Sequence, residues 1–95
     1  MGTYIIFTRI GPEAFSETSN FKQIAATVST KIKKECPGLV WKSSYATLGR
    51  FDVVDVVEAD NPASVERAAL IIRANGHATT ETMMATPWKE FVSRL

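Results

Sequence analysis

Ninety-five residues make one domain, 1–95, long enough to bury a core without disulfides or metal, and a chain 45% hydrophobic and 22% charged has an ordinary globular composition. Eleven basic residues against ten acidic ones leave a net charge of +1, so there is no electrostatic case for nucleic acid or a membrane surface as partner. A single cysteine, Cys36, excludes an internal disulfide and a cysteine-based zinc ribbon; no signal-like opening or membrane-length apolar run is present, and the expected compartment is the cytoplasm.

Thr3 to Arg9, "TYIIFTR", is β-branched and aromatic and predicts a buried strand, broken by Gly11-Pro12. "PEAFSET" is expected to form an irregular helical turn. Asn20 is the expected N-cap of a helix running to about Glu35, with Gln23 in the capping-box position. Phe21, Ile24, Ala25, Val28 and Ile32 form its apolar stripe, and Cys36-Pro37-Gly38 ends it. Lys31, Lys33 and Lys34 cluster in its last turn, where cations complement the helix dipole.

Leu39 to Leu48 and Phe51 to Ala59 predict a hairpin, with Gly49-Arg50 as a two-residue type II′ turn. Asn61 is an N-cap followed by Pro62 at the first helical position. Val65, Ala68, Ala69 and Ile72 supply the second helix's apolar face, and Asn75-Gly76 its stop. His77 to Ala85 predicts the fourth strand. Thr86-Pro87 opens a short last helix with Trp88, Phe91, Val92 and Leu95 on one face.

The order β-α-β-β-α-β, with right-handed crossovers, predicts an α+β ferredoxin-like fold. Strands one and three lie side by side in an antiparallel sheet, with the helices on one face. The other sheet face lacks helical cover, and a second copy of the chain is its simplest partner.

The stretch "TLGRFDVVDVVEADNP" resembles the signature of GYD-domain proteins, with Gly49-Arg50-Phe51-Asp52 standing where that family carries Gly-Tyr-Asp or a close variant. "TTETMMA" (Thr79 to Ala85) is similar to the family's last strand, and "MGTYIIF" fits its opening. The resemblance covers nearly the whole chain and implies a dimeric α+β barrel. It carries over no catalytic residue. Relatives of that barrel include cofactor-independent monooxygenases, isomerases and small-molecule-sensing domains, and one fold hosts many functions.

Asp55, flanked by valines, is the residue that asks for an explanation. A two-residue turn sets Leu48 opposite Phe51, Ala46 opposite Val53, Ser44 opposite Asp55 and Lys42 opposite Val57, all on one sheet face. Trp41 and Tyr45 then share the other face, where they suit core or dimer packing or stacking on an aromatic ligand. The typical family pattern has bulkier apolar residues at Ser44, Ala46 and Asp55. Asp55 is therefore either a carboxylate satisfied by Ser44, Lys42, Arg9 or water, or the polar floor of a pocket.

The expected function is binding of a small, partly apolar molecule, with Asp55, Ser44, Glu81 and Trp41 as candidate ligand contacts. Glu81 enters as a second polar group for the same cavity, or else as a surface charge. A cofactor-independent monooxygenase or isomerase using Asp55, His77 or Tyr45 for proton transfer is the alternative, and a ligand-free interaction module is the third reading. His77 is the only histidine, so no metal site is expected, and no cofactor either. Asp52, next to the turn, is expected to bind local backbone N–H groups. A homo-oligomer is the expected assembly.

Overall fold

A computed structural model of the chain describes residues 1–12 and 18–95. The expected turn over "PEAFSET" lies largely outside the described residues. The elements are β1 (Gly2–Ile10), α1 (Thr18–Glu35), β2 (Leu39–Ala46), β3 (Val53–Ala59), α2 (Pro62–Asn75), β4 (Ala78–Ala85) and α3 (Trp88–Ser93). The four strands form one sheet in the order β2-β3-β1-β4, and every neighbouring pair is antiparallel. This is the expected α+β ferredoxin-like arrangement, with strands one and three adjacent.

Strand alternation divides the sheet into two faces. Ile6, Thr8, Asp55, Val57 and Ala59 point to the helix side and are buried. Ile5, Phe7, Val54 and Val56 point to the other side and stay half-buried, and no helix among the described residues lies over them. The core joins Ile6, Val57 and Ala59 to Val65, Ala68, Ile71 and Ile72 of α2, with Ile32 and Cys36 from the end of α1. Burial raises the Cys36 thiol pKa and outweighs the opposing pull of the Arg67 guanidinium, while Glu35 adds to the rise; this is an inert structural thiol.

The end of α2 shows how its stop works. Asn61 caps the helix by accepting from the Ala63 N–H at 3.0 Å, with Pro62 in the first turn as expected. At the other end Gly76 does not take the left-handed conformation; its φ is −101°, and His77 takes φ 51° instead. Glycine is needed at 76 for close approach: a Cβ there would lie 2.6 Å from the Ile72 carbonyl oxygen.

Three expectations require correction. First, α1 begins at Thr18, so Asn20 lies inside the helix and is not its cap. Second, the β2–β3 connection is wider than a two-residue turn. No glycine has positive φ, as a type II′ turn at Gly49 would demand, and Leu48 takes φ 48° instead. Thr47 closes the loop, its backbone N–H donating to the Asp52 carbonyl at 3.0 Å and its hydroxyl to the Phe51 carbonyl at 2.6 Å. Phe51 therefore leaves the face of Asp55 and stacks on Phe7 of the uncovered face, ring centroids 5.0 Å apart.

Third, Ser44 does oppose Asp55 and Ala46 opposes Val53, but the register shifts between Trp41 and Ser43. Lys42 is the extra residue of a bulge, and Trp41, not Lys42, opposes Val57. One inserted residue turns Trp41 from the uncovered face to the helix face.

Candidate functional site

The two helices treat the sheet differently. Among the described residues α2 lies against β4 and β3, whereas α1 leans on α2 and touches the strands only sparsely. The gap beneath α1 is a cavity of about 400 Å³, within the range of roughly 300–1,000 Å³ usual for small-molecule sites. Phe21, Ile24, Ala25, Val28 and Ile32 of α1 form one wall, and Ile72 and Gly76 of α2 close one end. The floor is sheet: Thr8 and Ile10 from β1, Val53 and Asp55 from β3, Trp41 and Ser44 from β2, and Ala78 from β4. The amphipathic stripe of α1 thus lines a hollow, which is why Phe21, Ile24 and Val28 remain only half-buried.

Asp55 sits on this floor, 5% exposed, and its hydrogen bonds are one-sided. The Ser44 hydroxyl donates to Asp55 Oδ1 at 2.5 Å. The Trp41 indole N–H divides between Ser44 Oγ at 2.7 Å and Asp55 Oδ1 at 3.2 Å. Both donors converge on one carboxylate oxygen, and no described residue donates to Oδ2. Burial pushes the Asp55 pKa above its ordinary value; the hydrogen bonds from Ser44 and Trp41 pull it back only in part. Lys33 of α1 is the other charged residue among the described lining of the cavity, and it is exposed.

The floor is positioned by the stretch that carries the family resemblance. Asp52 Oδ2 accepts from the Ile10 N–H at 2.7 Å, and the Asp52 N–H donates to the Thr8 carbonyl at 2.8 Å. Asp52 was expected to bind local backbone; it binds a strand 42 residues away and clamps β1 to the start of β3. The Arg9 guanidinium adds to this clamp by donating to the Arg50 carbonyl through Nε at 3.0 Å and Nη2 at 2.5 Å. The clamp fixes Thr8, whose side chain faces the cavity and is 4% exposed. Thr8 Oγ1 is fully occluded and has no hydrogen-bond partner among the described residues.

Of the expected ligand contacts, Asp55, Ser44 and Trp41 meet in one site. Glu81 does not join them: it pairs with Phe7 across β1–β4, whereas Asp55 pairs with Ile6, so the two carboxylates lie on opposite faces. Glu81 stands instead in a surface depression with Arg9, Arg50 and Thr79. Tyr45 pairs with Val54 on the uncovered face and is 60% exposed. His77 is exposed at the α2–β4 junction and does not line the cavity. The three groups named for proton transfer are thus not assembled into one centre. Among the described residues no group of three His, Cys, Asp or Glu side chains could hold a metal.

Two features of the site were missed in the sequence. The bulge at Lys42 left one faint signal, an indole N–H that needs an acceptor when buried. Thr8 left none, because the β1–β3 register is set by no hairpin and cannot be counted from a turn.

Residues 4–95 match the family described as the GYD domain. The chain is 28% identical over 95 residues to the "Glutamine synthetase and cystathionine beta-lyase binding protein" of Thermus thermophilus, a match covering 100% of this chain and 99% of that relative. The solved structure of TTHA0845, also from Thermus thermophilus, superposes with a TM-score of 0.60 at 18% identity, over 92% of this chain and 95% of that one. The solved structure of SCO4226 from Streptomyces coelicolor superposes with a TM-score of 0.53 at 14% identity, over 88% and 96% respectively. These two structural likenesses concern the fold. With the family match spanning residues 4–95 and the Gly49-to-Asp52 stretch clamping the strands beneath the cavity, the chain belongs to the GYD-domain family.

Proposed function

We propose that the protein binds a small, partly apolar molecule in the cavity between α1 and the sheet, with Asp55, Ser44 and Trp41 orienting it. One observation carries the reading. An apolar cavity of about 400 Å³ has a buried carboxylate on its floor, and one oxygen of that carboxylate is left for a visitor. A satisfied structural carboxylate needs no hollow above it, and a collapsed core would have filled the space. The binding role needs the cavity and one orienting group, and nothing else.

A saturation-transfer NMR screen of a diverse fragment library tests it. Binders should lose their signal with Val53→Phe, which fills the floor, and with Val28→Trp, which fills the wall. Fragments that bind both variants as well as the wild type would place binding elsewhere and overturn the proposal.

A second reading concerns the uncovered sheet face, where Phe7 and Phe51 stack beside Ile5, Val54 and Val56, with Tyr45 and Met83 more than half exposed. We infer that a second copy of the chain packs here, giving a homo-oligomer of barrel type in the cytoplasm. The Thermus thermophilus relative is named as a binding protein for two enzymes, which makes a different protein the competing occupant. Light scattering separates them: a dimer that Val54→Lys converts to a monomer supports self-association, and a wild-type monomer at micromolar concentration removes it.

A further inference from the structure

We propose that the cavity beneath α1 selects a compact apolar molecule bearing a protonated amine, with the ammonium seated on Asp55 Oδ2. The inference rests on the pocket reading above and adds the chemical class of the ligand. Its basis is a count of donors and acceptors on the floor. The Ser44 hydroxyl donates to Asp55 Oδ1, and the Trp41 indole N–H is shared between Ser44 Oγ and that same carboxylate oxygen. Asp55 Oδ2 has no described donor. Thr8 Oγ1 is unpartnered among the described residues but fully occluded, so it stands behind the floor. The oxygen the floor leaves for a ligand is therefore that of a carboxylate, and a complementary ligand must supply the donor.

An ammonium offers three donors and no acceptor, and its charge cancels that of the carboxylate. A hydroxyl offers one donor and no charge. A carboxylate would bring only acceptors against a carboxylate. Lys33 is the one cation on the described lining, but it stands on the α1 wall and is exposed, so it does not neutralise the floor.

The test is an NMR titration at pH 7 with four molecules on one skeleton: cyclohexylmethylamine, cyclohexylmethanol, cyclohexanecarboxylate and methylcyclohexane. The amine should bind tightest, about ten- to a hundredfold tighter than the carboxylate, as a charge-assisted hydrogen bond implies, with the alcohol between them. Asp55→Asn should reduce the amine's advantage to within about threefold. A carboxylate that binds as well as the amine would assign the preference to Lys33 and overturn the inference. An amine advantage that survives Asp55→Asn would do the same. If methylcyclohexane binds and the amine gains nothing over it, the inference fails while the pocket reading stands. If none of the four binds, or binding survives Val53→Phe, both fall.

Discussion

Beneath α2, Ile6, Val57, Val65 and Ala68 meet with at most 1% exposure, whereas beneath α1 the same sheet face ends in a hollow floored by Thr8 and Asp55. Both helices carry an apolar stripe at helical spacing, and both stripes face the sheet. The difference lies in what the strands offer them. Under α2 the floor is Ile6 and Val57, which close-pack. Under α1 the centre of the floor is Thr8, Asp55 and Ser44, side chains too short and too polar to meet Ile24 and Val28, with Trp41, Val53 and Ile10 around them. A stripe on a helix therefore reports which way the helix faces, and the residues opposite decide whether the space is filled.

The contrast is open to mutation, beginning with the largest effect. Ile6→Ala should cost about 2–5 kcal/mol, because the sealed half cannot collapse into the void, while Val28→Ala should cost well under about 1 kcal/mol. Chemical denaturation of the two variants checks this; equal losses would mean that the two halves are packed alike. Gly76→Ala should cost about 1–3 kcal/mol, since its Cβ would meet the Ile72 carbonyl oxygen at 2.6 Å and backbone must move. Thermal melts would register it, and an unchanged melting temperature would show that the helix end yields easily.

A matched enlargement sharpens the comparison. Val65→Leu adds one methylene to the sealed half and should cost about 1–3 kcal/mol by overpacking. Val28→Leu adds the same group over the hollow and should be neutral or stabilise by up to about 1 kcal/mol, since leucine is also the better helix former. Opposite signs in denaturant midpoints are the expected outcome, and a common sign would contradict the contrast.

The smallest effect is pH-dependent. The folded Asp55 pKa is raised above its ordinary value of 3.8 by burial, so the folded state binds the proton more tightly than the unfolded one. The resulting stability is fully present below pH 3.8 and is lost as pH rises through the folded pKa. Asp55→Asn cannot ionise and keeps an oxygen acceptor for Ser44 and Trp41. Its stability relative to wild type should therefore climb with pH across that window and then level off. Lys33 is the other charged residue among the described lining of the cavity, so the same series in a Lys33→Met background isolates the carboxylate. A difference that is flat with pH would show that Asp55 titrates as an exposed carboxylate does.

The sequence made much of this legible. The crossover topology follows from element order, and the pairing of Ser44 with Asp55 follows from counting back from the turn. That count is right although the turn is wider than expected, because Thr47 and Asp52 still face each other across the longer loop. It fails further along the strand, where the bulge at Lys42 sends Trp41 to the other face. Alternation of apolar and polar residues is unchanged by a bulge until the extra residue is known, so the pattern of "LVWKSS" does not announce it, and only the indole N–H of Trp41 hints at it. Thr8 was invisible for a different reason. Its place depends on the register between strands far apart in the chain, set here by the Asp52 clamp. Glu81 was misplaced through the same ignorance of β4 register. The hollow itself could not be read, because α1's stripe looks like any stripe that packs.

Methyl-resolved NMR under xenon pressure tests the central claim most directly, since xenon enters apolar voids and leaves packed cores untouched. The account predicts shifts at the methyl groups of Ile24 and Val28, growing with pressure, while those of Val57 and Val65 stay fixed. Silence at Ile24 and Val28, or movement of equal size in all four, would show that no cavity exists beneath α1 to receive a ligand.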